Sequence, residues 1–102
     1  MMKVIWTELA KFQLKEACQY YKEIASAKVA ALIRSKVYEK TRKLSRFPEI
    51  GQKENNPLVA AMDYRYLVSG NYKIVYRIIS EEKTILIVAV FDTRQDPDDL
   101  QV

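Results

Sequence analysis

Four cations in the second half of the chain, Arg65, Lys73, Arg77 and Arg94, are interleaved with Tyr64, Tyr66, Tyr72 and Tyr76. Strand alternation brings Arg65, Lys73 and Arg77 from neighbouring strands, and Arg94 leaves the end of the next strand toward the same region. Such a set can neutralise phosphate charge while its rings stack on bases, which is what a single-stranded nucleic acid site requires. The same residue types are also ordinary on an exposed sheet face. Tyr72 and Tyr76 share a side with Ile74 and Ile78, so their expected place is the core, with the hydroxyls at its edge. Arg94 follows the apolar run 85–91 and stands between Asp92 and Asp96. A bidentate pair with either carboxylate would hold its guanidinium in one direction as a target-binding cation. The competing reading is a strand-end salt bridge of little energetic worth.

The chain has no histidine and one cysteine. Without imidazole the usual general base, triad member and metal ligand are missing, and one thiol cannot build a zinc cluster. Catalysis would have to use Lys, Arg, Tyr or carboxylates, with no metal and no cofactor. Cys18 falls within a helical pattern and reads as a buried structural thiol. Charge is unevenly placed: residues 1–46 carry eleven Lys or Arg against four Glu, net +7, and residues 47–102 carry six against nine acids, net −3. Within the basic part, Arg34, Lys36, Lys40, Arg42, Lys43 and Arg46 include only Glu39 as an acid. The segment suits either an anionic partner, docking on Arg34, Lys36, Lys40 and Lys43, or a solvated helix face.

These residues need elements to position them. Residues 3–6, "KVIW", suit a short strand, and Thr7 is a good N-cap for a helix to about Ile24 with Leu9, Phe12, Glu16 or Ala17, Tyr20 and Ile24 on its apolar side. Lys11, Lys15, Lys22 and Glu23 occupy the other side. Ser26 can cap a second helix carrying the stripe Val29, Leu32, Ile33, Val37 and Leu44 and ended by Phe47-Pro48. The short junction at Ala25-Ser26 makes the two helices an antiparallel hairpin. Residues 48–57 hold two of three prolines and one of two glycines and read as loop. Beyond them the period changes to two: strands around Tyr64–Val68 and Tyr72–Ile78 flank a tight Gly70-Asn71 turn. The nearly continuous apolar run Thr84–Phe91 reads as a central strand covered on both faces. The expected fold is α+β, a single domain over 1–102, with a short N-terminal strand and helical hairpin packed on one face of a twisted antiparallel sheet in the order β-α-α-β-β-β. With 49% hydrophobic residues and 29% charged ones the composition is that of a folded domain. No run is long enough for a bilayer and the first residues lack a signal design, so a cytoplasmic protein is expected.

The succession "FPEIGQKE", "YRYLVSGNYKIVYRI" and "ILIVAVFDTRQDP", after a helical hairpin, resembles the RelE/ParE superfamily of toxins from bacterial type II toxin–antitoxin modules, the plasmid stabilisation type. The resemblance covers nearly the whole chain and is carried most clearly by Gly70-Asn71-Tyr72, Tyr76-Arg77 and Arg94 to Asp96-Pro97. It implies growth inhibition by one of two routes, poisoning of DNA gyrase or ribosome-dependent cleavage of mRNA, with a degenerate, non-toxic binding module as a third reading. For the nuclease route, attack by a ribose 2′-hydroxyl needs a base, cations for the phosphorane and an acid. By position Lys73 and Arg94 fall where that branch has its basic residues. The branch also resembles itself in a lysine-rich first meander strand, where this chain has Tyr64-Arg65-Tyr66, and in a C-terminal tyrosine absent from "QDPDDLQV". These departures favour the ParE-like branch, with Arg65, Tyr66, Lys73, Arg77 and Arg94 as target-binding residues. The resemblance also implies an acidic antitoxin that wraps the toxin, no membrane association, and either a homodimer or a toxin–antitoxin hetero-oligomer.

Overall fold

A computed structural model describes residues 1–55 and 63–94 of the chain. The order is β1 (Lys3–Trp6), α1 (Glu8–Ile24), α2 (Ala27–Arg42), a 3-10 turn (Lys43–Ser45), β2 (Gln52–Lys53), β3 (Arg65–Ser69), β4 (Tyr72–Ile79), a second 3-10 turn (Ser80–Glu82) and β5 (Thr84–Asp92). This is the expected α+β architecture with two refinements. First, β1 pairs with β5 in parallel, so the sheet is mixed, in the order β1-β5-β4-β3-β2. Second, Gln52 and Lys53, expected as loop, form an edge strand against Tyr66 and Arg65. The far end of that loop, from residue 56, lies outside the described residues.

Both helices start where a side-chain oxygen replaces a missing backbone acceptor. Thr7 Oγ1 accepts from Ala10 N and Ser26 Oγ accepts from Val29 N, each at 3.1 Å. Two residues, Ala25 and Ser26, separate the helices, and both amides bond back to Tyr21 O. At Gly70 the φ of +58° supplies the left-handed conformation that a two-residue hairpin turn demands.

The helical faces match the sequence expectation in part: Ala17, Val37 and Leu44 are buried and Ile33 packs against the core, but other expected members are not buried. In α1 the buried residues are Ala10, Leu14 and Ala17, with Cys18 and Tyr21 packed against them, whereas Phe12, Tyr20 and Ile24 are 58%, 50% and 59% exposed. In α2 Ala30 and Val37 are buried, but Val29 and Leu32 face solvent. Each helix carries two apolar stripes, and the buried one includes alanines because small side chains let a helix approach the sheet closely. The main core joins Ala10, Leu14, Ala17 and Val37 to Leu44, Tyr72, Ile74, Tyr76, Ile85, Ile87 and Val90. Burying each large aliphatic side chain contributes about 1.5–3 kcal/mol.

A second cluster, Tyr64, Val75, Val88, Ala89 and Phe91, with Tyr66 and Leu86 against it, lies on the opposite side of the sheet. β5 is thus covered on both faces, as its composition requires. Opposite β4, the register passes from Ala89 to Ile87 between Val75 and Tyr76, so Val88 is a bulged residue and joins Ala89 in this cluster.

Because β1 stops at Trp6, the outer edge of β5 beyond Ile87 has no strand neighbour among the described residues. Helix α1 covers it. Thr7 N donates to Ile87 O, Thr7 Oγ1 donates to Val88 O, and Gln13 Oε1 accepts from Val90 N at 2.7 Å. These bonds satisfy backbone groups that an open edge would leave unpaired.

Candidate functional site

The residues expected to gather on one working surface are divided between the two sides of the sheet. Register pairs Lys73 with Val68 and Phe91, and Arg77 with Leu86, placing both cations with Tyr66 on the side away from the helices. Lys73 Nζ meets Glu54 Oε2 at 3.0 Å and lies 4.3 Å from the centre of the Tyr66 ring. Glu54 is almost wholly buried, so its pairing with Lys73 compensates a costly desolvation. Tyr66 Oη donates to Gln52 Oε1 at 3.0 Å. Arg77 is half-buried and makes no ion pair among the described residues.

Arg65 does not join them. It opposes Tyr76 on the helix side, and its Nη1 donates to the carbonyls of Glu49 and Gly51, pinning the chain that leads into β2. Tyr76 holds the same segment: its buried hydroxyl donates to Pro48 O at 2.7 Å and accepts from Gly51 N at 3.0 Å. Burial pushes the Tyr76 hydroxyl pKa up, partly offset by the Gly51 amide. At Gly51 a Cβ would sit 2.5 Å from Tyr76 Oη and 2.8 Å from Tyr66 O, so only glycine fits.

Arg94 also lies apart from Lys73. Asp92 opposes Tyr72 and therefore faces the helix side, and Arg94 curls back to it. Arg94 Nε and Nη2 donate to the two Asp92 oxygens at 3.0 and 2.7 Å, and Nη2 also donates to Tyr21 Oη at 3.2 Å. Of the two carboxylates expected to hold this guanidinium, Asp92 does so, while Asp96, with Pro97, lies outside the described residues. The bidentate bond from Arg94 holds the Asp92 carboxyl below its usual range, outweighing burial. Tyr72, edge-on to Tyr21 at 6.4 Å, has its pKa raised by burial and then by Tyr21 and Asp92. The result is a latch of Tyr21, Tyr72, Asp92 and Arg94 that ties the end of β5 to the last turn of α1.

The basic run on α2 is divided as well. Arg34 and Lys36 lie about 160° apart around the helix, at 3.6 residues per turn. Lys40 Nζ donates to Val68 O at 2.6 Å, Lys36 is exposed, and Lys43 sits exposed in the 3-10 turn. Arg34 instead lies 5.6 Å from the Tyr38 ring and helps line a cavity of ≈ 440 Å³ between α1 and α2. Its other lining residues are Lys11, Leu14, Lys15, Cys18, Gln19, Lys22, Ala30 and Tyr38. Burial pushes the Cys18 thiol pKa up, with Arg34 pulling it down less strongly, and Sγ contacts Ala30 O at 3.8 Å, as suits a structural thiol. Lys11, Lys15 and Lys22 were legible as the polar side of α1, and positions 11, 15 and 22 fall within about 40° of one another at helical spacing. Their convergence with Arg34 was not legible, because it depends on how the helices pack.

Comparison with known proteins decides the family. A family model described as the ParE toxin of the type II toxin-antitoxin system, parDE, matches residues 4–97. This chain belongs to the ParE toxin family. Among solved structures, one described as the chromosomal ParDE TA system from P. aeruginosa is similar in fold, with a TM-score of 0.74. It is 19% identical over 90% of this chain and 96% of that one. No curated protein sequence matches the chain. The toxin therefore has a type II antitoxin as its partner class, and among the described residues no helix is long and apolar enough to cross a membrane.

Proposed function

We propose that this toxin inhibits growth by a ParE-like action on DNA gyrase rather than by cutting RNA. The observation that carries this reading is the separation of Lys73 and Arg94. A metal-independent ribonuclease site requires its cations to converge on one phosphate. Here Lys73 lies on the side of the sheet away from the helices with Glu54 and Tyr66, and Arg94 lies on the helix side with Asp92 and Tyr21. Each guanidinium or ammonium has its own carboxylate, which suits binding surfaces better than a shared reaction centre. Family membership supports the gyrase target over the ribosome. In this reading Arg94, Arg77, Lys73 and Tyr66 contact the target and Arg65 supports them by fixing the β2 segment. An acidic antitoxin, encoded beside the toxin, neutralises it by docking on the basic half through Arg34, Lys36, Lys40 and Lys43, within a hetero-oligomer in the cytoplasm. Folding of a flexible antitoxin segment on binding would let a small protein cover a large area.

The test is to induce the chain alone in a bacterial host and to follow pulse-labelled DNA and protein synthesis. Blocked DNA synthesis with filamenting cells, and inhibition of purified gyrase in a supercoiling assay, are the expected results. A rapid fall in protein synthesis with messages cut within codons would replace the proposal with the nuclease reading. Unimpaired growth with no effect on purified gyrase would leave the non-toxic binding module.

A further inference from the structure

We infer that the turn from Phe47 to Gly51 is a pre-formed contact for the target protein, with Phe47 and Ile50 as paired anchors for an apolar pocket edged by carboxylates. The contact rests on the gyrase reading above and adds to it a position apart from the cationic strand residues. Pro48 stands second in the turn, where its fixed φ suits the backbone, and Ile50 N donates to Phe47 O at 3.3 Å. A turn of this kind brings its first and fourth Cα atoms within about 7 Å, so two large apolar side chains leave from neighbouring points. They are 57% and 50% exposed. Single exposed apolar residues are ordinary, but two side by side on a fixed backbone form a patch.

The backbone beneath them is held from inside. Phe47 N donates to Lys43 O, Tyr76 Oη donates to Pro48 O and accepts from Gly51 N, and Arg65 Nη1 donates to Glu49 O and Gly51 O. Tyr76 is buried, so its hydroxyl ties the turn to the core. A segment ordered in this way loses little conformational freedom on binding, and that is the condition under which exposed apolar groups become strong anchors.

Charge around the patch selects the partner. Arg42, Lys43 and Arg46 precede it and are exposed, and Glu49 is the only acid from 42 to 50. These cations steer an acidic protein surface toward the turn. A nucleic acid would meet them too, yet Glu49 is exposed between the anchors and opposes phosphate, and Ile50 has no ring to stack on a base. The same carboxylate would have to be desolvated in a lipid surface.

The test uses the full chain and purified gyrase in a supercoiling assay. Phe47→Ser combined with Ile50→Ser is expected to raise the inhibitory concentration by roughly tenfold or more. Because both positions are exposed, the melting temperature should stay near that of the unaltered chain. Phe47→Leu with Ile50→Leu keeps two apolar anchors and should retain most of the inhibition. Phe12→Ser removes a similarly exposed apolar side chain from α1 and should leave inhibition unchanged. Co-purification with the neighbouring gene's product should survive in the serine variant, which separates a target contact from an antitoxin contact. Equal inhibition by the serine variant and the unaltered chain would overturn the contact and leave the gyrase reading standing. No effect of the unaltered chain on gyrase would overturn that reading and the contact with it. Loss by the serine variant of binding to DNA alone, or of antitoxin retention, would overturn the assignment of the turn to the target protein.

Discussion

Tyr76 and Arg94 show how differently two polar groups act when their burial differs. The Tyr76 hydroxyl is enclosed and serves two backbone groups, so Tyr76→Phe strands Gly51 N and Pro48 O and is expected to cost about 1–3 kcal/mol in urea denaturation. Gly51→Ala should cost a similar amount, about 1–3 kcal/mol, because Tyr76 and the Tyr66 carbonyl must both give way. Arg94 is solvated, and the stability of an exposed pair is screened even where its geometry is bidentate. Arg94→Ala is therefore expected to lower the melting temperature only slightly, by removing the acid-sensitive pair with Asp92, while abolishing growth inhibition. A folded, fully toxic variant would reduce the latch to a structural one. The sequence showed Arg94 between two acids, but not that the side chain would turn toward Tyr21 rather than toward Lys73.

Helix α1 was legible as an element, yet its buried face was not. Leu9, Phe12 and Tyr20 form a stripe as periodic as Ala10, Leu14, Ala17 and Tyr21, and the larger side chains made the first look like the core. Packing selected the second because Ala10 and Ala17 permit close approach to β5, while Gln13, between the stripes, reaches Val90 N. Substitution separates the two stripes. Leu14→Ala is expected to cost about 2–5 kcal/mol and Phe12→Ala less than about 0.5 kcal/mol, both read by denaturation. The caps are worth about 1 kcal/mol each. Thr7→Ala should exceed Ser26→Ala because Thr7 Oγ1 also bonds Val88 O.

At the scale of the whole molecule, stability should form a plateau bounded by two kinds of group. Asp92 titrates lower in the folded chain than in the unfolded one because Arg94 hydrogen-bonds its charged form. Its contribution is therefore complete above the ordinary carboxylate range near pH 4 and is lost as pH falls through the depressed value. Tyr72 and Tyr76 titrate higher when folded because burial opposes their ionisation. Their contribution is complete below about pH 10 and declines as pH rises beyond it. Urea midpoints measured across pH should fall at both ends, and Asp92→Asn should shrink the acid limb and also the Tyr72 share of the alkaline one, because the Asp92 charge helps to raise the Tyr72 pKa.

Local chemistry in the sequence determined the elements. Thr7 and Ser26 cap helices because their oxygens accept backbone bonds there, Gly70-Asn71 turns because glycine tolerates positive φ, and Thr84 to Phe91 goes inside because a run apolar on both faces must be covered twice. The family resemblance was legible for the same reason, since Gly70-Asn71-Tyr72 marks a turn and Arg94 follows a strand end. Tertiary structure decided which groups meet. The parallel pairing of β1, the bulge at Val88, the parting of Lys73 from Arg94, the role of Gly51 and the convergence of Lys15, Lys22 and Arg34 all join residues distant in sequence or on different elements. Periodicity says which residues share one face of one element. It carries no information about which face of another element will lie against it, because that depends on side-chain volumes and strand register across the whole core.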